Sequence, residues 1–366
     1  MTSSTIRVLL IAPSLHILGG QAVQATRLLR ALRKEPSLFI AFQPIDPRFP
    51  RPLAWLQRLK FVRTILTWLT YVLVVAARAW RYDVLHVFSA AYTSYMLWTL
   101  PALFIGKLYG KRVIVNYRDG QAEDHLQNWR TALPTLRMAD AIIAPSGYLV
   151  DIFAKFGMKI STISNILDMA PFHYRRRERL RPVFLHNRIL EPLYNIPCSL
   201  RAFQLVQQRY PDASLTIAHS GPSRAGLEQL AHELGLRNTR FIGRVPHAEI
   251  ASLYDSADVY FTSPDFDCMP GSILECFASG IPVVATNTGG IPYIASHQET
   301  ALLVPTGDHV AMSQAALRLL EEPELVTRLT SNAYESCRRY AEEPVRQEWK
   351  KLYLELCGQD LAGRIP

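Results

Sequence analysis

Three acidic side chains, Asp265, Asp267 and Glu275, lie in or beside one glycine-punctuated loop, and Arg188 closes an apolar run further upstream. An ionised carboxylate has two acceptor oxygens, so it can receive two O–H donors at once. A guanidinium makes a planar, two-point contact with anionic oxygens that an ammonium cannot copy. Groups of this kind act only when rigid elements hold them. Residues 258–294, DVYFTSPDFDCMPGSILECFASGIPVVATNTGGIPYI, read as such a support. Val259 to Thr262 is a buried strand ended by Ser263-Pro264, and Asp265 to Gly271 is a loop. Ser272 to Ser279 comes next as a helix stopped by Gly280. Ile281 to Ala285 is a second β-branched strand, and Thr288-Gly289-Gly290 opens a turn. Strand, loop, helix and strand make a βαβ unit, which requires parallel pairing and helices on the sheet faces. Ligands of such sheets sit outside the carboxyl ends of the strands, where the Asp265–Gly271 loop falls. The helix start there offers unpaired N–H groups and a positive dipole end to hydroxyls or phosphates.

The length of 366 residues favours about two domains. Apolar residues are 49% and charged residues 19% of the chain, a globular composition with sizeable cores. Five cysteines (198, 268, 276, 337 and 357) form no C-x-x-C pair and no metal spacing, which points to reduced thiols in a cytoplasmic protein. Net charge is +9 and uneven: residues 1–170 hold 20 Lys/Arg against 9 Asp/Glu, whereas 171–366 hold 20 against 22. A basic half faces something acidic, of which nucleic acid and an anionic membrane are the usual candidates. No nucleic-acid-binding module accompanies the charge. No internal repeat or low-complexity tract is present.

Arg7 to Pro13 (RVLLIAP) reads as a strand, too short and too soon followed by Pro-Ser and Gly-Gly for a signal peptide. Gly19-Gly20 then opens a helix from Ala22 to Leu32, a first βα unit. The Gly pair lacks the full G-x-G-x-x-G fingerprint, so a plain turn explains it as well as a phosphate loop. Pro44 to Pro52 is a Pro-rich loop. Residues 53–80, LAWLQRLKFVRTILTWLTYVLVVAARAW, form an apolar helix with basic flanks. Its longest charge-free run, Thr64 to Ala77, is too short to cross a bilayer. Lys60, Arg63, Thr64, Thr67, Thr70, Arg78 and Arg81 gather in one sector, while Trp55, Leu66, Trp68, Leu69, Leu73 and Trp80 fall largely elsewhere. This pattern fits an interfacial helix and equally a helix packed on a sheet. Asp83 to Phe88 and Arg112 to Asn116 are further strands, with a helix from Thr93 to Tyr109 between them. The loop Asn116-Tyr117-Arg118-Asp119-Gly120, with Glu123, Asp124 and His125, is the richest acid–base cluster of this half. Such density suits a solvated helix start, and its place at a strand end suits a binding loop. Ala141 to Ser146 is another strand. Arg175, Arg176, Arg177, Arg179 and Arg181 mark residues 169–181 as a solvated linker and domain boundary. The second half starts with Val183 to Arg188, and Ser214 to Ala218 and Thr239 to Gly243 are strands within it.

The segment D-C-M-P-G-S-I-L-E-C-F-A-S-G-I-P-V-V-A-T followed by G-G-I-P resembles the E-x7-E signature of retaining glycosyltransferase family 4, with Asp267 at the first acid and Glu275 at the second. The stretch H-N-R-I-L-E-P-L-Y-N-I resembles that family's G-R-L segment, placing Arg188 on its arginine and Leu193 where a lysine is usual. The resemblance holds in register over roughly 183–310 and more loosely over 5–170. It implies the glycosyltransferase-B architecture: an α/β chain of two Rossmann-like domains with parallel sheets facing an inter-domain cleft. Residues 1–170 are then the acceptor-side domain and 183–340 the nucleotide-sugar donor domain, with a helix at 344–366 returning to the first. Arg188 is expected to reach the donor phosphates, Asp267 with the backbone of Cys268, Met269, Pro270, Gly271 and Ser272 the donor sugar, and Glu275 the ribose hydroxyls. Gly19 and Gly20 are expected near the diphosphate or sugar, Ser220-Gly221 at a strand end, and Arg244-Val245 near the base. Where the family has a histidine this chain has Asn116 or Tyr117, leaving Asn116, Tyr117, Arg118 and Asp119 as acceptor-side candidates.

The expectation is a retaining, metal-independent transferase that uses a nucleotide-diphosphate sugar as co-substrate and needs no cofactor. Its acceptor is expected to be a saccharide or lipid-linked saccharide, in building cell-surface polysaccharide or glycoconjugate. The expected location is cytoplasmic, with peripheral contact to the inner membrane face through 53–81. Two alternatives stand beside it. Asp265-Phe266-Asp267 is a D-x-D, the metal motif of the other large glycosyltransferase architecture. Loss of the lysine, loss of the histidine and the Glu-to-Asp change would also suit a degenerate binding or scaffold subunit.

Overall fold

The computed structural model describes residues 5–15, 20–47 and 60–358. It divides into two units, Met1–Ile166 with Glu342–Pro366, and Leu167–Ala341.

The first unit is built on six parallel strands: β1 (Ile6–Ala12), β2 (Leu38–Pro44), β3 (Val84–Ser89), β4 (Arg112–Tyr117), β5 (Ala141–Ala144) and β6 (Ser161–Thr162), ordered β2-β1-β3-β4-β5-β6. Successive residues of β1 point to opposite faces. Val8 and Leu10 pack with α1 (Gly20–Leu32), and Leu9 and Ile11 with α2 (Lys60–Ala79) and α3 (Leu100–Leu108). Both faces are covered, so β1 reads as a continuous apolar run instead of an alternating one. Beyond β4 the chain turns into a short helix, α4 (Ala122–Asn128).

Helix α2 corrects the sequence reading in detail. It is described from Lys60, so the expected start at 53 and Trp55 lie outside the described residues. Its packed stripe is Tyr71, Val75 and Ala79, whereas Ile65, Leu69, Leu73 and Trp80 are exposed. The helix expected over Thr93 to Tyr109 is interrupted. A turn at Tyr92–Ser94 leads into a π segment, Tyr95–Thr99, before α3. Pro101 has no N–H to give the preceding turn, which accounts for a local change of helical period there.

The second unit has strands β7 (Val183–Asn187), β8 (Ser214–Ala218), β9 (Thr239–Gly243), β10 (Val259–Thr262), β11 (Val283–Thr286) and β12 (Leu302–Val304), ordered β12-β11-β10-β7-β8-β9 and parallel throughout. From β7 the chain builds outward to β8 and β9, then returns to place β10 on the other side. The β7/β10 boundary is therefore the topological switch point, where open α/β sheets hold ligands. Two helices flank that boundary in sequence, α5 (Ile250–Asp255) before β10 and α6 (Gly271–Ser279) after it.

The C-terminal helix α7 (Glu342–Leu356) belongs to the first unit and lies on its α1 face, burying Val345, Trp349 and Tyr353. Buried Glu35 ties it down through Arg346 at 2.8 Å and Lys350 at 2.7 Å.

The arginine-rich stretch 169–181 is exposed at Arg175, Arg176, Arg179 and Arg181, but it is pinned to the second unit. Arg175, Arg177 and Arg181 converge on the carboxylate of Asp258, which is buried just ahead of β10. Arg177, itself buried, also donates to the carbonyls of Ser279 at 2.8 Å, Gly280 at 2.7 Å and Ala257 at 3.1 Å. It thereby satisfies orphan carbonyls at the negative end of α6. Gly280 ends that helix in the left-handed region at φ 66°, and a Cβ there would come within 2.7 Å of the Arg175 carbonyl oxygen.

Candidate active site

At the carboxyl end of the second sheet, the segment after β7 and the loop after β10 are laced together. Ser263 Oγ donates to the Asn195 carbonyl at 2.8 Å, and the Asp265 amide donates to the Leu193 carbonyl at 2.9 Å. Asn195 Nδ2 donates to Asp265 Oδ1 at 2.7 Å. This fixes the turn Pro192–Tyr194, whose Tyr194 ring lies 4.4 Å from the Arg188 guanidinium carbon. Arg188 also forms an ion pair with Asp267, and only 16% and 12% of the two side chains remain exposed. Burial alone would lower the Arg188 pKa, but Asp267 outweighs it and the guanidinium stays firmly charged. Its Nε is buried and has no hydrogen-bond partner among the described residues.

Asp267 is held from behind as well. Its carbonyl accepts from the Gly290 amide at 2.7 Å. Gly289 stands at φ 53°, where a Cβ would lie 2.3 Å from that same oxygen. The first Gly of the second turn is thus required by close backbone approach. Glu275 sits one turn into α6, and its Oε2 accepts from Tyr254 Oη at 2.9 Å. Tyr254, fully buried on α5, in turn accepts from Asn187 Nδ2 at 3.3 Å. Adjacent residues at the end of β7 therefore position both acids, Asn187 through Tyr254 and Arg188 directly. The N-terminus of α6 has no side-chain cap, and nothing lies within 4 Å of where a Gly271 Cβ would be. An uncapped helix start can offer N–H groups to anionic oxygens, and the charged Arg188 side chain lies on the same edge of the sheet.

Other expected site residues fall variously. Cys268 is half-buried, while Met269 is a core residue, so only its backbone can face a ligand. Pro270 and Ser272 are buried as well. Gly221 is needed for packing: a Cβ there would meet the Leu190 carbonyl oxygen at 2.3 Å, and the Ser220 carbonyl accepts from the Leu190 amide. Arg244 is exposed and Val245 half-buried beyond β9, two strands from Arg188. Leu193, at the expected lysine position, is 46% exposed, and Tyr194 is the residue that meets Arg188. Gly19 lies outside the described residues, and Gly20 is exposed at the start of α1.

In the first unit two acceptor-side candidates are corrected. Asn116 and Tyr117 are fully buried: Asn116 Nδ2 donates to His86 Nε2 at 3.1 Å, and Tyr117 Oη meets His125 Nδ1 at 2.8 Å. Burial, helped by Arg118, lowers the His86 pKa to about 3, so the ring is neutral and its Nδ1–H faces Tyr353 Oη at 2.7 Å. Arg118 is half-buried over the Phe88 ring, donating to Asn116 and Asn165. Asp119 accepts from the Ala91 amide at 2.9 Å and the Gln121 amide at 3.0 Å.

Two six-stranded parallel sheets, one carrying paired acids, a buried arginine and an open helix start at its switch point, define a glycosyltransferase-B type protein. The model for glycosyl transferases group 1 matches residues 175–336, and the model for glycosyltransferase family 4 matches residues 18–171. The chain belongs to the family 4-type, group 1 glycosyltransferases. It is 32% identical over 165 residues to a D-inositol 3-phosphate glycosyltransferase of Corynebacterium urealyticum, covering 43% of this chain and 39% of that one. It is 30% identical to the lipopolysaccharide core biosynthesis glycosyltransferase LpsD of Rhizobium meliloti, covering 45% and 46%. The matched segments span 29% to 63% of the lengths of the curated relatives. Among solved structures, Anabaena HepE, determined with UDP and glucose, superposes with a TM-score of 0.73 at 17% identity, covering 95% of this chain and 99% of that one. No helix among the described residues is long and apolar enough to cross a membrane.

Proposed function

We propose that the chain is an active, retaining, metal-independent glycosyltransferase that moves a sugar from a nucleotide-diphosphate donor to a saccharide or lipid-linked saccharide. The observation that carries this reading is the buried Arg188 Nε–H, without a partner among the described residues and on the same sheet edge as the uncapped start of α6. A donor diphosphate bound at this edge would supply the missing acceptor once the guanidinium turns toward it. As the bond to the transferred sugar breaks, negative charge grows on the leaving phosphate, and preorganised donors stabilise that charge more than the ground state. The same phosphate oxygen takes the acceptor's hydroxyl proton on the front face, so no protein nucleophile is required. Glu275, fixed by Tyr254, receives two ribose hydroxyls. Asp267 keeps Arg188 oriented and offers its remaining lone pairs to the sugar.

Engagement of Asp267 by Arg188 and of Asp265 by Asn195 favours this role over metal ligation by the D-x-D. The UDP and glucose of the HepE structure, and the lipopolysaccharide core biosynthesis named for the LpsD relative, lend support. In assays with a panel of nucleotide-diphosphate sugars, at least one donor is expected to be turned over in EDTA. Activity lost to EDTA and restored by manganese would move the assignment to the D-x-D. Donor binding without any turnover would move it to a binding subunit.

The reading includes a cytoplasmic protein docking on an anionic inner membrane face. Ile65, Leu69 and Leu73 of α2 and Trp80 just beyond it are exposed, as are Phe104 and Leu108 of α3, with exposed Arg63 and Arg81 nearby in sequence. An apolar stripe with a basic rim suits a lipid headgroup surface. Sedimentation with phosphatidylglycerol vesicles is expected at low salt, with release as salt rises. Replacing Leu69, Leu73 and Trp80 by polar residues should abolish it. Indifference to anionic vesicles would remove membrane contact from the reading.

A further inference from the structure

The first unit has its own switch point, between β1 and β3, and the segment leaving β3 carries a side chain that no core function explains. Tyr92 sits at φ 55°, a left-handed conformation that non-glycine residues, and bulky ones above all, avoid. Its neighbours hold it there. Asp119 anchors the preceding residue through the Ala91 amide and the loop before α4 through the Gln121 amide. Tyr92 Oη donates to Asp124 of α4, whose other oxygen accepts from Asn128 Nδ2 at 2.6 Å. Behind it lies a sealed aromatic group. His125 is buried against Tyr95, with ring centroids 5.1 Å apart, and stacked with Tyr117 at 6.0 Å. In contrast, Tyr92 and Trp129 remain half-exposed, 5.8 Å apart with their planes at 62°, and each borders His125, at 5.5 and 5.7 Å.

Two half-exposed rings on a rigid base, with an exposed carboxylate bonded to one of them, suit one ligand class. A hexose presents an apolar C–H face, which packs on aromatic rings, and an equatorial rim of hydroxyls. Asp124 has about four lone-pair directions, of which Tyr92 and Asn128 use two. The remainder can accept sugar O–H groups. The position outside the carboxyl ends of β3 and β4 is the ligand-binding side of this sheet. We propose that Tyr92, Trp129 and Asp124 form a subsite for a saccharide ring of the acceptor. This rests on the transferase reading for the word acceptor, but not for the binding of sugar itself. Tyr92 is the determinant: its strained backbone keeps the ring at the surface, where a relaxed one would let it turn away.

The test uses the full chain labelled with 5-fluorotryptophan, and a panel of methyl hexosides as probes. The Trp129 resonance, assigned by its loss in Trp129→Phe, is expected to shift saturably with at least one hexoside. Tyr92→Ala and Asp124→Asn should each weaken that binding at least tenfold, and Tyr92→Phe by less, because it keeps the ring. Melting temperature and nucleotide-sugar affinity, measured on the same samples, should stay at wild-type values. No shift with any hexoside, or a shift equally strong in Tyr92→Ala, overturns the subsite. Nucleotide-sugar binding reports the transferase reading separately. Hexoside binding without it would keep the subsite and sink that reading, and the reverse pattern would do the opposite.

Discussion

Arg188→Lys is expected to lower kcat by about 10²–10³-fold, the scale of losing one preorganised donor to a developing oxyanion. Lysine keeps the charge but cannot copy the present geometry. The guanidinium is held by Asp267 on one side and Tyr194 on its face, leaving Nε–H to point elsewhere. An ammonium that satisfies Asp267 has no fixed second edge for phosphate. The loss should fall on kcat more than on KM, because phosphate charge grows toward the transition state. Arg188→Ala should be at least as damaging and also leaves Asp267, largely buried, without its partner. Steady-state kinetics over a donor series decide the matter. Near-normal turnover in Arg188→Lys would mean that the diphosphate charge is handled elsewhere, Arg244 being the other cation at a strand end of this unit.

Asp258→Ala is expected to destabilise the second unit by about 3–5 kcal/mol, the usual cost of stranding a buried charge. The stranded group is Arg177, whose guanidinium is buried and could not return to water without breaking its bonds to the Ser279 and Gly280 carbonyls. Those carbonyls end the helix carrying Glu275, so donor affinity should fall as well. The pH dependence comes from the carboxyl itself. Burial opposes ionisation of Asp258, yet hydrogen bonds from Arg181 and the charges of Arg181 and Arg177 overcome it and hold the pKa below the ordinary value. A depressed carboxyl contributes its full stability above the unfolded pKa of about 3.9 and loses it as pH falls through the folded one. Urea unfolding at neutral pH should show the full gap between wild type and Asp258→Ala, narrowing below about pH 4. A gap that is absent at neutral pH would show that the arginines find other partners.

The part of the fold legible in sequence is local. The strand, loop, helix and glycine stop over 258–294 are written in neighbouring residues, and Gly280 and Gly289 stand where backbone geometry demands them. Tyr254 carries no such signal, because its role depends on Glu275, which lies on a different helix beyond an intervening strand. The burial of Arg177 among the exposed arginines of 169–181 is invisible in any window that omits Asp258. In β4 every residue after Arg112 is buried, since helices cover both faces, so alternation cannot show that Asn116 and Tyr117 point inward. The polar loop beyond β4 marks Asp119 and Asp124 as candidates by density of charge. It says nothing of Tyr92, which enters from the end of another strand. Strands β2 and β12 are faint in sequence: the first runs into Pro44, and the second has only three residues.

The switch point of the second unit is expected to bind a nucleotide-diphosphate sugar through Arg188 and Glu275. Calorimetric titration of wild type and Glu275→Gln with the same panel of nucleotide sugars, in EDTA, tests it most directly. Wild type is expected to bind saturably, and Glu275→Gln to lose about 1.5–3 kcal/mol, roughly tenfold to a hundredfold in affinity, for a charge-assisted bond to ribose. Equal affinity in the two proteins, or no binding of any nucleotide sugar to wild type, would contradict it.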